Sequence, residues 1–391
     1  MKDIKDYISE RIYPFSMQLS DAEKQRLLEL DKEYGELMEL YRSDRNWKDP
    51  LNIDTEMEKF LENRKKGKVY FPKLKFGECK FTTDGILDRM EKLLHEFESF
   101  NCYISKYYID NLRNYIFRVK YTIQKITCNP KATYYGNNGY DMQVSDEMYE
   151  LALKTIKENP YEDVEGADRD IDSDTATKEI QDYIDKKGYK WKVVLNDNMM
   201  PRMNVNTNKT IRIRKSATFS KEDIEGLKAH EVDAHIGRRY YGYMTGLNIF
   251  VHGLNGRNIL DEGLAVWNSL NKVSKPKKNI LFNTALKTAI IYKVNELDFN
   301  ELFDFVRGLS KEIPDDKIFL VLTRAKREIH DMSLKGAWTD DASYFCGYQM
   351  VDKMTDKERD DILKYNIGPD QIKDLPNIKK FLDVNNFKPL I

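Results

Sequence analysis

The chain has 391 residues, with 64 Lys and Arg against 65 Asp and Glu, so its formal net charge is −1. With 41% hydrophobic and 33% charged residues it is too apolar for a disordered chain, and the charge balance argues against a dedicated nucleic-acid binder. No apolar run approaches the roughly 18 residues that a membrane helix needs.

Helical patterns dominate in chain order. Ser20 and Glu23 form a capping-box pair, and behind them Leu27, Leu30, Tyr34, Leu37, Met38 and Tyr41 recur at helical spacing. A second helical stretch runs from Thr83 to about Ile126. It is too long for one ordinary helix, so a break is expected near Ser99 to Ser105. Residues 129–144 are turn-rich and read as a loop, followed by a helix over about 146–158. An acidic stretch, Glu162 to Asp174, leads to a short helix over about 175–187. Three strands are then expected: Lys190 to Leu195, Met203 to Val205 and Thr210 to Arg214. In the last of these Ile211 and Ile213 alternate with Arg212 and Arg214, which gives one apolar and one cationic face. From Ser220 onward the pattern is helices and loops. The fold class is α+β, mostly helical, with a small antiparallel sheet packed beside the helix that follows Ser220.

That helix carries His230, Glu231 and His235. Zinc takes neutral imidazole nitrogens and carboxylate oxygens, and a catalytic site keeps one position open. Four residues turn an α-helix by about 400°, so histidines four apart share a face to within ~40°. Here they stand five apart, about 500° of rotation and ~140° off the common face. Both rings reach one metal only if the helix is locally over-wide, and a π-bulge is the device that does this. A third ligand is needed, and Glu262 in Leu260-Asp261-Glu262-Gly263-Leu264-Ala265 is the natural candidate. Its competing role is a carboxylate near a helix N-terminus that complements the dipole.

HEVDAH followed by DEGLAVW resembles the HExxxH…EGLA pattern of the tyrosine carboxypeptidase-like metallopeptidase family, which includes the microtubule-associated tyrosine carboxypeptidases and bacterial proteins with a QEGLA motif. The strand Ile213 to Ser220 is similar to the one that leads into that family's metal helix, and His252-Gly253-Leu254 to its connecting loop. Arg324-Ala325-Lys326-Arg327, and Gly336-Ala337-Trp338-Thr339-Asp340-Asp341 with Tyr344 and Gly347, resemble its downstream motifs; Tyr135-Gly136 matches a Tyr-Gly of its helical half. The likeness spans about residues 70–355 and is strongest in 211–268 and 324–347. Asp261 replaces the Gln or Glu that often precedes the ligand. Asp340 stands where the family often has Lys, so a cationic contact from that position is missing here.

The resemblance implies a zincin-like core and one zinc ion held by His230, His235 and Glu262, with Glu231 as general base. It implies a carboxypeptidase acting on a protein or peptide C-terminus. Such an enzyme must hold a terminal carboxylate, and fork-shaped donors suit that, so Arg214, Arg324 and Arg327 are the candidates. Tyr344 is placed at the oxyanion or the side-chain pocket. The expected division is an N-terminal helical extension (1–70), a helical subdomain (71–160), the zinc peptidase core (161–366) and a C-terminal tail (367–391). The alternatives are an endopeptidase or aminopeptidase with the same metal chemistry, and a silent regulatory protein of the same fold.

Other features read more plainly. Asp168, Asp170, Asp172, Asp174 and Glu179 imitate a calcium loop, but Ser173 stands where the sharp turn wants Gly, so a solvated acidic loop is expected. The charged start MKDIKDYISERIYPF lacks the apolar core of a secretory signal. With four scattered cysteines (Cys79, Cys102, Cys128, Cys346) expected to be reduced, a cytoplasmic location is expected, with no membrane or nucleic-acid partner.

Overall fold

The computed structural model describes residues 15–43, 50–77, 85–126, 143–162, 169–196, 199, 202–206, 209–272, 277–327, 329, 331–337 and 339–390; of residues 121–126, 272 and 277–278 only the backbone is described. Most of the expected loop at 129–144, with Tyr135 and Gly136, lies outside these residues, as do Asp168, Cys79, Cys128 and Trp338.

Helix α1 (Asp21–Ser43) starts where the capping box predicts. The Ser20 backbone N–H donates to Glu23 at 2.8 Å, and the Glu23 N–H donates back to the Ser20 hydroxyl at 3.4 Å. Its apolar stripe, Leu27 to Tyr41, is buried. After α2 (Ile53–Lys65), the long helical stretch is indeed broken, into α3 (Ile86–Ser99) and α4 (Ser105–Ile126). The break has a cause: Cys102 bridges Ser16, with the Tyr103 N–H donating to the Ser16 carbonyl at 3.0 Å. Helices α5 (Asp146–Glu158) and α6 (Ser173–Lys186) start on the caps Ser145 and Asp172, whose side chains accept from the N–H groups of Met148 and Thr175.

The strands are β1 (Lys192–Asn196), β2 (Met203–Val205) and β3 (Thr210–Arg214). Their order is β1-β3-β2. β2 and β3 form the expected antiparallel pair, with Met203 opposite Ile213, and Ile211 and Ile213 point inward as the alternation predicts. The sheet as a whole is not antiparallel, however: β1 runs parallel to β3, with Lys192 opposite Thr210 and Asn196 opposite Arg214. The chain passes from β1 to the far edge before β3 returns between the other two, so β1 and β3 share a direction. The expected antiparallel sheet is therefore a mixed one.

Helices fill the rest. They are α7 (Lys221–Leu227), a π-helix (Lys228–Ile236), α8 (Gly237–Met244), α9 (Asn248–His252), α10 (Arg257–Lys272), α11 (Lys277–Lys293), α12 (Phe299–Leu309), α13 (Asp315–Ala325), α14 (Ser343–Val351), α15 (Asp356–Tyr365) and α16 (Leu375–Asn385). Among the described residues none of these is long and apolar enough to cross a membrane.

Among the described residues the chain has three buried clusters, and two of them meet at the π-helix. The first joins α1, α3 and α4 to Ala234, Leu260 and Leu264, and to Phe381 of α16. The second gathers Phe60, Phe282, Phe319 and Phe345. In the third, the inner face of the sheet (Ile211, Ile213) packs with Ile180 and Ile184 of α6 against Val232 and Ile236. The π-helix is thus gripped from two sides, and its remaining side faces α10 and α14.

Candidate metal centre

Ser220 caps α7 with a full capping box to Asp223. The helix then widens, and the nine residues Lys228–Ile236 are π-helical. Hydrogen bonds that run i→i+5 bring residues five apart onto one side, so the five-residue spacing of the histidines is matched by the helix that carries them. The rings of His230 and His235 stand 5.0 Å apart between centroids, at 76°. Buried Asn268 of α10 donates to the Ala229 carbonyl at 3.3 Å, which braces the widened turn.

Glu262, in the second turn of α10, comes between the rings. Its Oε2 is 3.7 Å from His230 Nε2 and 3.6 Å from His235 Nε2. One ligand atom from each of the three lies within 4.8 Å of the others, and this is the one such group among the described residues. Donors about 2.1 Å from a tetrahedral ion stand about 3.4 Å from one another, and the two oxygen–nitrogen distances are close to that. Glu262 Oε2 is buried without a hydrogen-bond partner. An orphaned carboxylate oxygen between two imidazole nitrogens fits a cation there.

Asp261, beside Glu262, fixes one ring. Its Oδ1 lies 2.9 Å from His235 Nδ1, while Arg257 donates to its Oδ2 at 2.5 Å and Arg238 lies 3.7 Å away. Burial opposes ionisation of Asp261, but His235, Arg238 and Arg257 outweigh it and hold the carboxyl well below the usual carboxylate range. An ionised carboxylate only accepts, so Nδ1 carries the proton and Nε2 is left to face Glu262. Burial likewise disfavours a charged His235, yet Asp261 and Glu262 raise it to about 9. Glu231 is partly buried on the same π-turn. Burial raises its carboxyl above the ordinary range, with Glu262 and Asp261 adding to the rise and the two histidines opposing it.

The opposite wall comes from α14 and α13. The Tyr344 ring stacks on His230, 6.4 Å between centroids at 15°. Arg324 closes a fork on Asp341, with Nε to Oδ2 at 2.6 Å and Nη2 to Oδ1 at 2.9 Å, and Nη2 also reaches the Tyr344 hydroxyl at 3.2 Å. Burial raises the Tyr344 phenol far above its ordinary range and Glu262 adds to this, so it stays protonated. Arg327 belongs to the same neighbourhood, since its charge acts on both Asp341 and Lys287. Arg214 lies partly buried at the last position of β3, across from Asn196.

Two glycines allow this wall to form. A Cβ on Gly263 would come within 2.7 Å of the Gly347 Cα, and one on Gly347 would strike the Ile259 carbonyl. The Glu262 and Tyr344 helices therefore cross backbone to backbone.

Sequence reasoning missed Asp341 and Lys287. Lys287 lies on α11 over the Tyr344 ring, its amine 4.5 Å from the centroid. Burial pushes that amine down to about 8; Arg324 and Arg327 push the same way, against Asp341 and Glu262. Thr284, Ala285, Leu286, Thr288, Ala289, Ile290 and Ile291 around it are all buried, but Asn283 one turn earlier is exposed, so in the sequence the lysine reads as part of a short polar stripe and carries little signal. His252 is buried at the end of α9, with Tyr34 edge-on at 6.2 Å. Burial, aided by Arg42, holds it well below its ordinary range, as befits a structural residue.

A family model described as microtubule-associated tyrosine carboxypeptidase matches residues 120–386, more than half of the chain. No curated protein matches it. Among solved structures, one described as a lipoprotein from Colwellia psychrerythraea is similar at a TM-score of 0.41 and 11% identity, over 85% of this chain and 74% of that one. A likeness that loose carries no statement about fold or function.

Proposed function

From the premise that the chain belongs to the microtubule-associated tyrosine carboxypeptidase family, we propose that it is a zinc-dependent carboxypeptidase with a zincin-like core, removing one residue from a protein or peptide C-terminus. Family membership itself implies a carboxypeptidase-type peptidase with a protein or peptide substrate. The zinc dependence rests on one observation above others: two imidazoles and a carboxylate converge within 4.8 Å, and the carboxylate oxygen at the centre is buried with no hydrogen bond.

His230, His235 and Glu262 would hold the ion. Zinc, when bound, supplies Lewis acidity that acidifies an attacking water and polarises the scissile carbonyl. The remaining work falls to the chain. Glu231 accepts the water proton and returns it to the leaving amine. Its raised pKa suits both halves of that task, because the carboxylate is a stronger base than an exposed glutamate. Asp261 keeps His235 in one tautomer. Tyr344 accepts from Arg324 and keeps its own hydrogen, so it can donate to the oxygen that gains charge in the transition state. Asp341 locks Arg324 and thereby aims the phenol.

The test pairs metal analysis with peptide hydrolysis. The purified chain should carry one zinc, and Glu231→Gln should keep that zinc while losing roughly 10²- to 10⁴-fold in rate. A chain without zinc after gentle purification, or a Glu231→Gln variant that cleaves normally, would overturn the assignment.

A further inference from the structure

A cation beside the site has no counter-charge in contact with it among the described residues. Among the described residues Lys287 makes neither a hydrogen bond nor an ion pair. Its neighbours on α11 are buried, the residue itself keeps some exposure, and its amine lies over the ring that stacks on His230. An ammonium has three donors to satisfy, and holding one in a partly dry pocket is costly unless an anion meets it. Three arginines nearby already have partners. Arg324 gives Nε and Nη2 to Asp341, Arg257 is on Asp261, and Arg238 donates to the Ile367 carbonyl at 3.0 Å.

The geometry also limits where a substrate's terminal carboxylate can lie. It sits one residue beyond the scissile carbonyl, and consecutive Cα atoms are about 3.8 Å apart. Its anchor must therefore share the pocket of Glu231 and Glu262. Lys287 meets this condition through Tyr344, with its amine 4.5 Å from a ring whose centroid is 6.4 Å from that of His230.

We propose that Lys287 binds the terminal carboxylate of the substrate over the Tyr344 ring, and that this contact restricts the site to chain ends; the proposal rests on the carboxypeptidase reading above. In this arrangement Arg324 positions Tyr344, and the grip that the sequence offered to Arg324 falls to a lysine. Arriving carboxylate supplies the counter-charge that burial withholds, so the binding energy of the free acid is concentrated in one contact.

The test is a binding measurement on the zinc-loaded Glu231→Gln chain, which holds peptide without turning it over. The probes are a fluorescent pentapeptide with a free C-terminal carboxylate and the same peptide as its amide. The free acid should bind roughly 10- to 100-fold more tightly than the amide, the worth of one charge-assisted hydrogen bond. Adding Lys287→Met should bring acid binding down to the amide's level, with zinc content and melting temperature unchanged. Lys287→Arg, which keeps the charge, should retain part of the preference and serves as the readout if the Met variant does not fold; total loss of the preference in a folded Arg variant would count against a charge-based grip. An acid preference that survives Lys287→Met in full would overturn the proposal while leaving the carboxypeptidase reading intact. Equal binding of acid and amide by the Glu231→Gln chain itself would defeat that reading, and the proposal with it.

Discussion

Two stretches of this chain carry side chains at metal-like spacing, and among the described residues one of them gathers its donors. Between Asp170 and Glu179 two of the carboxylates are already engaged by the protein. Asp172 caps α6 through the Thr175 N–H at 2.7 Å, and Glu179 takes the Lys228 amine at 2.7 Å. On the π-helix and α10, by contrast, two ring nitrogens and a carboxylate oxygen point at one place, and that oxygen is left without a hydrogen bond. Both regions are rich in potential ligands. What separates them is whether the donors are spent, and sequence spacing alone does not report that.

The largest effect that would break this contrast is the loss of a ligand. Glu262→Gln or His235→Ala should remove zinc, measured by elemental analysis, and abolish peptide hydrolysis; full metal content in either would dissolve the distinction. Next comes the residue behind the ligand. Asp261→Asn should weaken zinc binding by about 10- to 100-fold, read by competition with a chelator, because the Asn amide no longer fixes the His235 tautomer. Gly347→Ala sharpens the comparison from the packing side. The added carbon drives the Glu262 and Tyr344 helices apart, and the cost should be about 1–3 kcal/mol in chemical denaturation, with hydrolysis falling in whatever remains folded. The smallest effect belongs to the other region. Asp172→Ala should cost about 1 kcal/mol as a lost helix cap and leave zinc content untouched, and added calcium should not move the melting temperature. A clear calcium shift would restore the acidic loop as a site.

Much of the architecture was legible because local chemistry decides it. The capping box at Ser20 and the stripe from Leu27 to Tyr41 specify α1 without help from the rest of the chain. Ile211 and Ile213 announce a half-buried strand in the same way. The over-wide turn could also be read, since a five-residue spacing leaves a straight α-helix no way to aim both histidines at one ion. The parallel pairing of β1 with β3 was hidden, because the insertion of a returning strand between two others is set by the loop path and not by the strands. The Arg324–Asp341 fork was hidden for a related reason. An arginine and an aspartate in separate helices and turns look like two solvated charges until the chain brings them together, and a free arginine then becomes a committed one. Lys287 was missed because a single charge in a helix reads as surface unless the burial of its whole surroundings is considered.

The nine π-helical residues have a consequence for what evolution can remove. Deleting one residue between His230 and His235 would let the segment relax to an ordinary α-helix with a four-residue histidine spacing, which serves a metal equally well. Five steps around the wide turn and four around an ordinary one bring the chain to nearly the same angle, so everything after the deletion would keep its facing. Arg238 would stay near Asp261, and Gly242, whose missing side chain admits the Phe250 backbone, would stay at that crossing. The extra residue is absorbed inside the widened segment, and the packing of α8 downstream does not depend on it. The five-residue and the four-residue spacing are thus two lengths of one and the same arrangement.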